Sequence, residues 1–373
     1  MTVPTSVHLV GPDVVDDPRH PSGGNVYDRE LSTALRALGW PVQEHLVAGR
    51  WDGAAVDQGR LRRALAVIPD GAPVVIDGLL GLDCPEVLLA ECRRLAILLL
   101  VHLPLGLATP DRPEVRDRER EALGAAATVI ATSAWAREWL LDSYPLPRDR
   151  VHIARPGAIP TPLSRGSAGG ELLCVGAVVR AKGQGVLLDA LAELRELDWT
   201  CRIVGPVDRD VAYADRIRAQ LRRTGLDDRI ELTGPVGRDE MRAAYDGADL
   251  LVAPTLMETY GMAVTEALAA GLPVIASDVG GVSEALGTDW EGVLPGILVP
   301  PGESLALAEA LRKWLLDDRL RRRLRGAARA RRDSIPDWSG TARQVLDAVH
   351  TALGSGPLAL NLDGALTSSG GTK

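Results

Sequence analysis

Residues 258–281 read ETYGMAVTEALAAGLPVIASDVGG, and this stretch is the most informative part of the chain. The preceding residues 250–254 (LLVAP) predict a strand that ends in proline, and residues 262–271 predict a helix that stops at Gly271. Glu258 is therefore expected in a strand-to-helix loop, where open α/β sheets bind ligands, and Glu266 about one turn inside the helix. The N-terminus of that helix offers unpaired N–H groups, a natural seat for phosphate.

The position of these two carboxylates suggests a class of ligand. A phosphate seat with a carboxylate on either side suits a central diphosphate with hydroxylated rings at both ends, as in a nucleotide sugar. One carboxylate would bind the sugar hydroxyls and the other the ribose. Two glutamates at this spacing also occur as plain loop and helix-surface acids, and the spacing alone favours that simpler interpretation.

The rest of the chain alternates short β-rich runs with amphipathic helical stretches. With 373 residues, 46% of them hydrophobic and 25% charged, the chain is long enough for two globular domains. Strands separated by helices form βαβ units, so we expect an α/β fold with two doubly wound, Rossmann-like domains in series. The expected strands are 6–12, 42–47, 73–77, 95–101, 127–131, 150–153, 171–176, 200–204, 229–233, 249–253, 273–276 and 296–300.

Residues 156–170 (PGAIPTPLSRGSAGG) predict a linker, because they are rich in Pro, Gly and Ser and have no hydrophobic periodicity. The expected domains are therefore 1–160 and 161–334. A last helix is expected within 335–353, and the Gly- and Ser-rich residues 354–373 are expected to form a frayed tail.

The composition excludes several classes of protein. The net charge of −8 argues against a nucleic-acid-binding protein. The four cysteines form no CxxC pair and are expected to be reduced and mostly buried. The most apolar run, 95–101, is too short to span a bilayer, and the N-terminal residues lack the basic flank of a signal peptide, so we expect a soluble, cytoplasmic protein. The arginine-rich segment 318–333 is expected to be a solvated helix with Leu320 and Leu324 turned inward.

The opening stretch resembles the retaining glycosyltransferases of family 4, which have the two-domain GT-B fold. The family signature is a glutamate, seven residues and a second glutamate, with glycine after an aromatic residue; here these are Glu258, Tyr260, Gly261 and Glu266. The following residues, GLPVIASDVGGVSEAL, are also similar to the family. The resemblance implies a GT-B fold with two domains facing a central cleft. It also implies donor-binding roles for these four residues and for Met262 and Ala263 at the start of the helix.

The resemblance extends to the start of the second domain. Residues 172–191 (LLCVGAVVRAKGQGVLLDAL) look like the family's strand, basic loop and helix, and Lys182 falls on the lysine that holds the donor diphosphate. Many members carry an arginine five residues earlier, where this chain has Ala177, and Arg180 is the candidate replacement. Residues 229–236 resemble the base-binding strand and loop, with Val236 near the nucleobase.

Two segments of the first domain carry the rest of the resemblance. Residues 20–31 (HPSGGNVYDREL) are similar to the family's glycine-rich loop, in which Gly23 and Gly24 would let the backbone approach the donor. His102, in VHLPLG, falls where similar proteins have a histidine that faces the donor sugar. Taken alone, the glycine pair is equally well a plain turn, and a histidine at a strand end is more often structural. No G-x-G-x-x-G follows the first strand, which argues against a dinucleotide-dependent dehydrogenase.

One motif raises the question of a metal. Asp208 and Asp210 form an Asp-x-Asp of the kind that holds a divalent metal in the other large glycosyltransferase fold. Asp210 is well placed to cap the following helix, and we interpret it as a cap. We find no His/Cys cluster and no carboxylate group with metal-ligand spacing, so neither a metal nor a cofactor is expected.

The predicted function is the metal-independent transfer of a hexose, with retention, from a UDP- or GDP-sugar to an acceptor hydroxyl. His102, Lys182 and Glu258 are the expected catalytic residues. Two alternatives remain: a GT-B-like sugar-nucleotide epimerase, which would show more cleft acids and histidines than His102 and His20, and a non-catalytic nucleotide-sugar-binding protein.

The acceptor cannot be identified from the sequence. The loops at 80–86 and 108–120 are expected to shape its site. They lack the apolar and basic face of a membrane-docking surface, which favours a soluble acceptor and does not indicate membrane association.

Overall fold

The computed structural model describes residues 6–49 and 56–354, so most of the predicted C-terminal tail lies outside the described residues. Two six-stranded parallel sheets form the framework. All twelve predicted strands are present, and each begins and ends within one residue of its predicted position. The prediction of an α/β fold with two doubly wound domains is therefore confirmed.

The first sheet has the strand order β2-β1-β3-β4-β5-β6. Its strands are β1 (Val7–Pro12), β2 (Val42–Val47), β3 (Pro73–Asp77), β4 (Ala96–Val101), β5 (Thr128–Ala131) and β6 (Val151–Ile153). The helices between them are α1 (Gly23–Ala37), α2 (Gln58–Ala66), α3 (Gly78–Gly81), α4 (Pro85–Glu91), α5 (Leu105–Ala108), α6 (Pro113–Ala125) and α7 (Ala134–Ser143).

The second sheet has the strand order β12-β11-β10-β7-β8-β9. Its strands are β7 (Glu171–Val175), β8 (Thr200–Val204), β9 (Ile230–Gly234), β10 (Leu250–Ala253), β11 (Val274–Ser277) and β12 (Gly296–Val299). The helices of this half are α8 (Gln184–Ala192), α9 (Val211–Thr224), α10 (Arg238–Gly247), α11 (Met262–Ala269), α12 (Val282–Leu286), α13 (Ser304–Leu316) and α14 (Asp318–Arg332).

Each sheet is covered by helices on both faces, which explains the near-continuous apolar character of the strands. Every residue of β3, and all but the first of β4, is buried. Two separate apolar clusters flank each sheet, one on either face. In the arginine-rich α14, Leu324 is buried and Leu320 packs against the second core, as the sequence predicted. All four cysteines are free, and three of them are buried.

The last helix, α15 (Trp338–Ala352), returns to the first sheet. Trp338, Val345 and Val349 join the apolar cluster around Tyr27, so α15 covers one face of the first sheet. The segment that leaves β6 and the segment that leads into α15 contact each other between the two sheets. The N–H of Ala158 donates to the carbonyl of Pro336 at 2.9 Å. No described helix is both long enough and apolar enough to cross a membrane.

Each sheet contains one point where the strand order reverses, between β1 and β3 in the first and between β7 and β10 in the second. Loops that follow adjacent strands diverge at such a switch point and leave a crevice at the carboxyl ends of the strands. Side chains on the loops after β4, β5 and β10 contact one another across the domains, so the two crevices open into one central cleft.

Candidate functional site

The crevice of the second sheet brings together two residues that the sequence identified separately. Lys182 follows β7 and Glu258 follows β10, and the Lys182 Nζ lies 2.5 Å from Glu258 Oε2. The two side chains are 34% and 17% exposed, so the pair is accessible from the cleft without being fully solvated. An ammonium and a carboxylate are thus placed side by side at the switch point.

Backbone contacts between the two loops hold this pair in position. The N–H of Leu256 and the hydroxyl of Thr255 both donate to the carbonyl of Ala181, at 2.7 and 2.9 Å. Gly183 has a φ of +67°, and a Cβ there would lie 2.0 Å from the carbonyl oxygen of Pro254. Only glycine fits this crossing, because a side chain would collide with the backbone and strain the left-handed conformation.

Residues 278–281 (DVGG) pack against the main chain of Glu258. The N–H of Gly281 donates to the carbonyl of Glu258 at 3.2 Å. A Cβ on Gly280, whose φ is +59°, would lie 1.7 Å from the same oxygen. The glycine pair therefore lets the backbone of the following loop pass directly beneath Glu258.

Helix α11 begins at the cleft. Gly261 adopts a φ of +105° and immediately precedes the helix, so the unpaired N–H groups of its first turn, including those of Met262 and Ala263, face outward from the strand ends. The predicted donor residue Tyr260 is buried among the apolar side chains of the second domain. Its side chain supports the loop, and any ligand contact by this residue would come from its main chain.

Glu266 lies one helical turn further along and accepts a hydrogen bond from the hydroxyl of Tyr245 at 2.7 Å. Burial raises the pKa of Glu266, and the hydrogen bond from Tyr245 opposes that effect. Tyr245 was not singled out from the sequence, because nothing in its local pattern distinguishes it from a core residue of α10. Val236 lies in the loop after β9, where it packs against the apolar cluster that also contains Tyr245.

Arg180, the second predicted phosphate contact, has no fixed partner among the described residues. Arg180 is exposed in the short 3₁₀ turn that also contains Lys182, and within the described residues it forms no hydrogen bond or ion pair. The carbonyl of Ala177 accepts hydrogen bonds from the N–H of Val179 and from the side chain of Gln184, both at 2.9 Å. The loop is therefore well ordered by its own contacts, with a guanidinium available on its surface.

Residues of the first domain complete the cleft. Helix α1 begins at Gly23, with Ser22 as its N-cap, so Gly23 and Gly24 lie in its first turn. A Cβ on Gly24 would lie 3.1 Å from the His102 ring, and one on Gly23 would lie 3.4 Å from the sulfur of Met262. The absence of side chains at these two positions brings the start of α1 close to both His102 and the second domain.

Hydrogen bonds link the two domains next to these residues. The hydroxyl of Thr259 donates to the carbonyl of His102 at 2.7 Å, and the hydroxyl of Ser133 donates to the carbonyl of Thr259 at 2.6 Å. The carboxylate of Glu284 accepts a hydrogen bond from the N–H of Ala134 at 2.8 Å, at the N-terminus of α7. The loop that carries Glu258 is therefore tied directly to the strand end that carries His102.

The sequence missed a cluster around His102. The ring Nε2 of His102 donates to Asp28 Oδ1 at 3.0 Å, and Asp77 lies behind this pair at the end of β3. One ligand atom from each of the three residues lies within 4.8 Å of the others, a spacing that could hold a metal ion. Sequence spacing could not reveal this group, because the three residues come from different elements and meet only when β1, β3 and β4 pair.

The ionisation of the cluster follows from its surroundings. Burial and the nearby charge of Asp28 raise the pKa of Asp77 to about 7. Burial lowers the pKa of His102, but the charge of Asp28 and its hydrogen bond outweigh burial, so the net shift is upward. Asp28 and His102 are therefore paired with each other, and Asp77 behind them keeps its proton to a higher pH than an ordinary aspartic acid.

The Asp-x-Asp motif lies elsewhere. Asp210 is the N-cap of α9 and its side chain accepts a hydrogen bond from the N–H of Tyr213 at 3.0 Å, as predicted. Asp208 is exposed in the loop before it. Asp210 therefore has a structural role in starting α9.

The chain is similar in sequence to a known family and to known proteins. Residues 166–331 match the family described as "Glycosyl transferases group 1". A D-inositol 3-phosphate glycosyltransferase of Kineococcus radiotolerans is 33% identical over 66% of this chain and 63% of its own length. That of Frankia alni is 30% identical over 68% of this chain and 67% of its own length. The chain thus spans somewhat under two thirds of the Kineococcus relative.

Solved structures show the same fold. Sucrose-phosphate synthase from Thermosynechococcus elongatus superposes with a TM-score of 0.77 at 21% identity, over 92% of this chain and 98% of that protein. Anabaena HepE in complex with UDP-glucose superposes with a TM-score of 0.69 at 17% identity, over 93% and 100%. Together with the two facing doubly wound domains, these likenesses identify the GT-B fold, and the chain belongs to the group 1 glycosyltransferases.

Proposed function

We propose that this protein transfers a hexose from a nucleoside diphosphate sugar to an acceptor hydroxyl, with retention of anomeric configuration and without a metal. The observation that carries the proposal is the Lys182–Glu258 pair at the switch point of the second sheet, 2.5 Å apart beside the N-terminus of α11. A cation, a carboxylate and unpaired N–H groups in one crevice match a diphosphate joined to a hydroxylated ring.

The departing diphosphate is the group whose charge most needs electrostatic stabilisation during the reaction. As the bond between the anomeric carbon and the phosphate oxygen breaks, negative charge grows on the diphosphate. Lys182, which has three N–H donors, can hold Glu258 with one and face the phosphate with the others. The first turn of α11 and the guanidinium of Arg180 add positive potential in the same crevice.

Glu258 and His102 are the proposed contacts to the sugar, and Glu266 the contact to the ribose. Glu266 accepts one hydrogen bond from Tyr245, and its second carboxylate oxygen is available to a hydroxyl pair. No carboxylate was identified as a nucleophile for the opposite face of the sugar. We therefore propose a front-face reaction: the acceptor oxygen bonds to the anomeric carbon on the side that the phosphate leaves, and the acceptor proton goes to the departing phosphate oxygen.

The two halves of the chain have different tasks in this proposal. Residues 161–334 bind the donor, and residues 1–160 provide the acceptor side, with residues 335–353 as the helix that returns to the first domain. UDP is the first nucleotide to test, because the structurally similar HepE was solved with UDP-glucose.

A thermal-shift panel of UDP-, GDP-, ADP- and TDP-glucose tests the proposal. Binding to the folded state stabilises it by about 2.7 kcal/mol at a ligand concentration of 100 times Kd, so one nucleotide should raise Tm clearly above the others. Lys182→Ala should reduce that shift. Lys313→Ala is the matched control, because Lys313 pairs with Glu309 on the exposed face of α13. No shift with any donor in the wild-type protein would contradict the proposal.

A further inference from the structure

The crevice of the first sheet is built from carboxylates, in contrast to the crevice of the second. Asp28 on α1 and Asp77 at the end of β3 lie beside His102, and within the described residues no lysine or arginine pairs with either aspartate. The side chains of Asp28 and His102 are 15% and 19% exposed, so a molecule in the cleft can reach them.

Three arginines beside this crevice, among the residues that the structure describes, already have partners. In the loop after β1, Arg19 forms a bidentate pair with Asp17. On α1, Arg29 bonds to Glu44 at 2.9 Å and also to Asp16. From the second domain, Arg209 donates to the main-chain carbonyl of His20 at 3.3 Å. A negatively charged ligand would have to displace one of these contacts to find a counter-ion.

Asp28 borders a small cavity that has polar residues on one side. A cavity of about 30 Å³ is lined by Gly11, Asp28, Arg29, Glu44 and Asp77, together with apolar side chains that come mainly from β1, β2, β3 and β4. A Cβ on Gly11 would lie 3.5 Å from Asp28 Oδ2, so glycine keeps this oxygen approachable. The cavity has room for about two water molecules, which is also the size of a hydroxyl-bearing carbon.

We propose that the acceptor is an uncharged polyhydroxyl compound, a sugar or cyclitol, and that Asp28 accepts a hydrogen bond from one of its hydroxyl groups beside His102. This inference rests on the proposed function. A carboxylate pairs well with hydroxyl donors, and its hydrogen bond is strengthened by its charge. Among the described residues, a phosphate group in the same crevice would meet like charge beside an Arg29 that is already paired with Asp16 and Glu44, so the site discriminates against phosphorylated acceptors as well as favouring neutral ones.

The test compares matched acceptors. Donor turnover is followed as nucleoside diphosphate release from the donor found in the thermal-shift panel, with glucose against glucose 6-phosphate and myo-inositol against D-inositol 3-phosphate. We expect the neutral member of at least one pair to stimulate release and its phosphorylated partner to do so less. Asp28→Asn keeps the shape, and should raise the KM for the neutral acceptor about 10- to 100-fold, the scale of a lost charge-assisted hydrogen bond. Asp28→Asn should also reduce the difference in the rate of nucleoside diphosphate release between neutral and phosphorylated acceptors.

Asp117→Asn is the charge control, because it removes one acidic charge from the exposed face of α6, where Asp117 pairs with Arg120. Its KM should match that of the wild type, and both variants should bind the donor normally. Better use of the phosphorylated partners, an unchanged KM in Asp28→Asn, or no response to any neutral acceptor would overturn the inference while donor binding still supports the proposed function. Absence of donor binding in the wild type would overturn both.

Discussion

Lys182 Nζ and Glu258 Oε2 lie 2.5 Å apart, and this ion pair links the loops after β7 and β10 at the switch point of the second sheet. The residues are 76 positions apart in the chain. Because each neutralises the other in a partly buried crevice, removing one leaves an uncompensated charge as well as a missing functional group. Variants at either position therefore report on both binding and electrostatics, and need controls for each.

Replacement of Lys182 should slow the reaction more than it weakens the fold. Lys182→Ala is expected to lower kcat by about two to three orders of magnitude, the scale for losing one preorganised group that stabilises developing charge. Lys182→Arg should recover little, because a planar guanidinium does not substitute for a compact ammonium. Steady-state kinetics at saturating donor measure the effect, with Lys313→Ala as the control. Near-normal turnover in Lys182→Ala would show that the phosphate site lies in another loop.

The two glutamates of the opening stretch should have separable effects. Glu266→Ala is expected to weaken binding of the nucleoside diphosphate itself, because its carboxylate is assigned to the ribose. Glu258→Ala should mainly lower kcat, because its carboxylate is assigned to the reacting sugar. Titration calorimetry with the nucleoside diphosphate distinguishes the two variants.

Tyr245→Phe refines the assignment of Glu266. It removes the 2.7 Å hydrogen bond to Glu266 but keeps the carboxylate, so its effect on affinity should be smaller than that of Glu266→Ala. Equal nucleotide affinity in the wild type and in Glu266→Ala would remove the ribose assignment.

Activity should survive EDTA, because the proposed site neutralises phosphate charge with Lys182, Arg180 and helix N–H groups. The measurement is turnover before and after chelation, followed by addition of Mg²⁺ or Mn²⁺. Full loss that a metal restores would contradict the account and would direct attention to two places. Asp208→Ala would test the loop before α9, and Asp77→Asn would test the group of Asp28, Asp77 and His102.

The elevated pKa of Asp77 predicts a pH dependence of stability. Its pKa is about 7 in the folded protein, because of burial and the charge of Asp28, against an ordinary value of 3.8. The folded state therefore holds a proton that the unfolded state releases at lower pH. The stabilisation from this group is present below about pH 4 and is lost as the pH rises through 7.

Asp77→Asn should remove that dependence, because the amide mimics the protonated acid and can still accept the hydrogen bond from the N–H of Leu79. Chemical unfolding at pH 5 and pH 8 measures it: the stability of the variant relative to the wild type should increase between pH 5 and pH 8, by up to a few kcal/mol. Asp117→Asn serves again as the control. If the stability of the wild type changed between pH 5 and pH 8 by the same amount as that of Asp77→Asn, the assignment would be contradicted.

The sequence predicted the framework well because fully buried parallel strands leave a strong local pattern. Short, continuous apolar runs, as in 95–101 and 250–254, located β4 and β10 to within one residue. The start of α1 at Gly23 and the cap at Asp210 were also predictable, since both depend on neighbouring residues only.

Contacts between distant elements could not be predicted in the same way. Lys182 and Glu258 were each identified, but their pairing depends on β10 lying next to β7. Asp28 and Asp77 were missed because their approach to His102 requires the order β1-β3-β4, which no local pattern specifies. Tyr260 was identified from the motif as a residue that contacts the donor. Its side chain is buried in the core, which the motif alone did not indicate.

The central claim is that the crevice containing Lys182 and Glu258 supports sugar transfer with retention. The most direct measurement is NMR of a reaction containing an α-linked nucleoside diphosphate hexose and a neutral acceptor, which follows the anomeric signals of donor and product together. The account predicts one nucleoside diphosphate released for each new α-glycoside, and no such product from Lys182→Ala on the same timescale. A β-glycoside, an epimerised nucleotide sugar, or a bound donor that remains unchanged with every acceptor would contradict it.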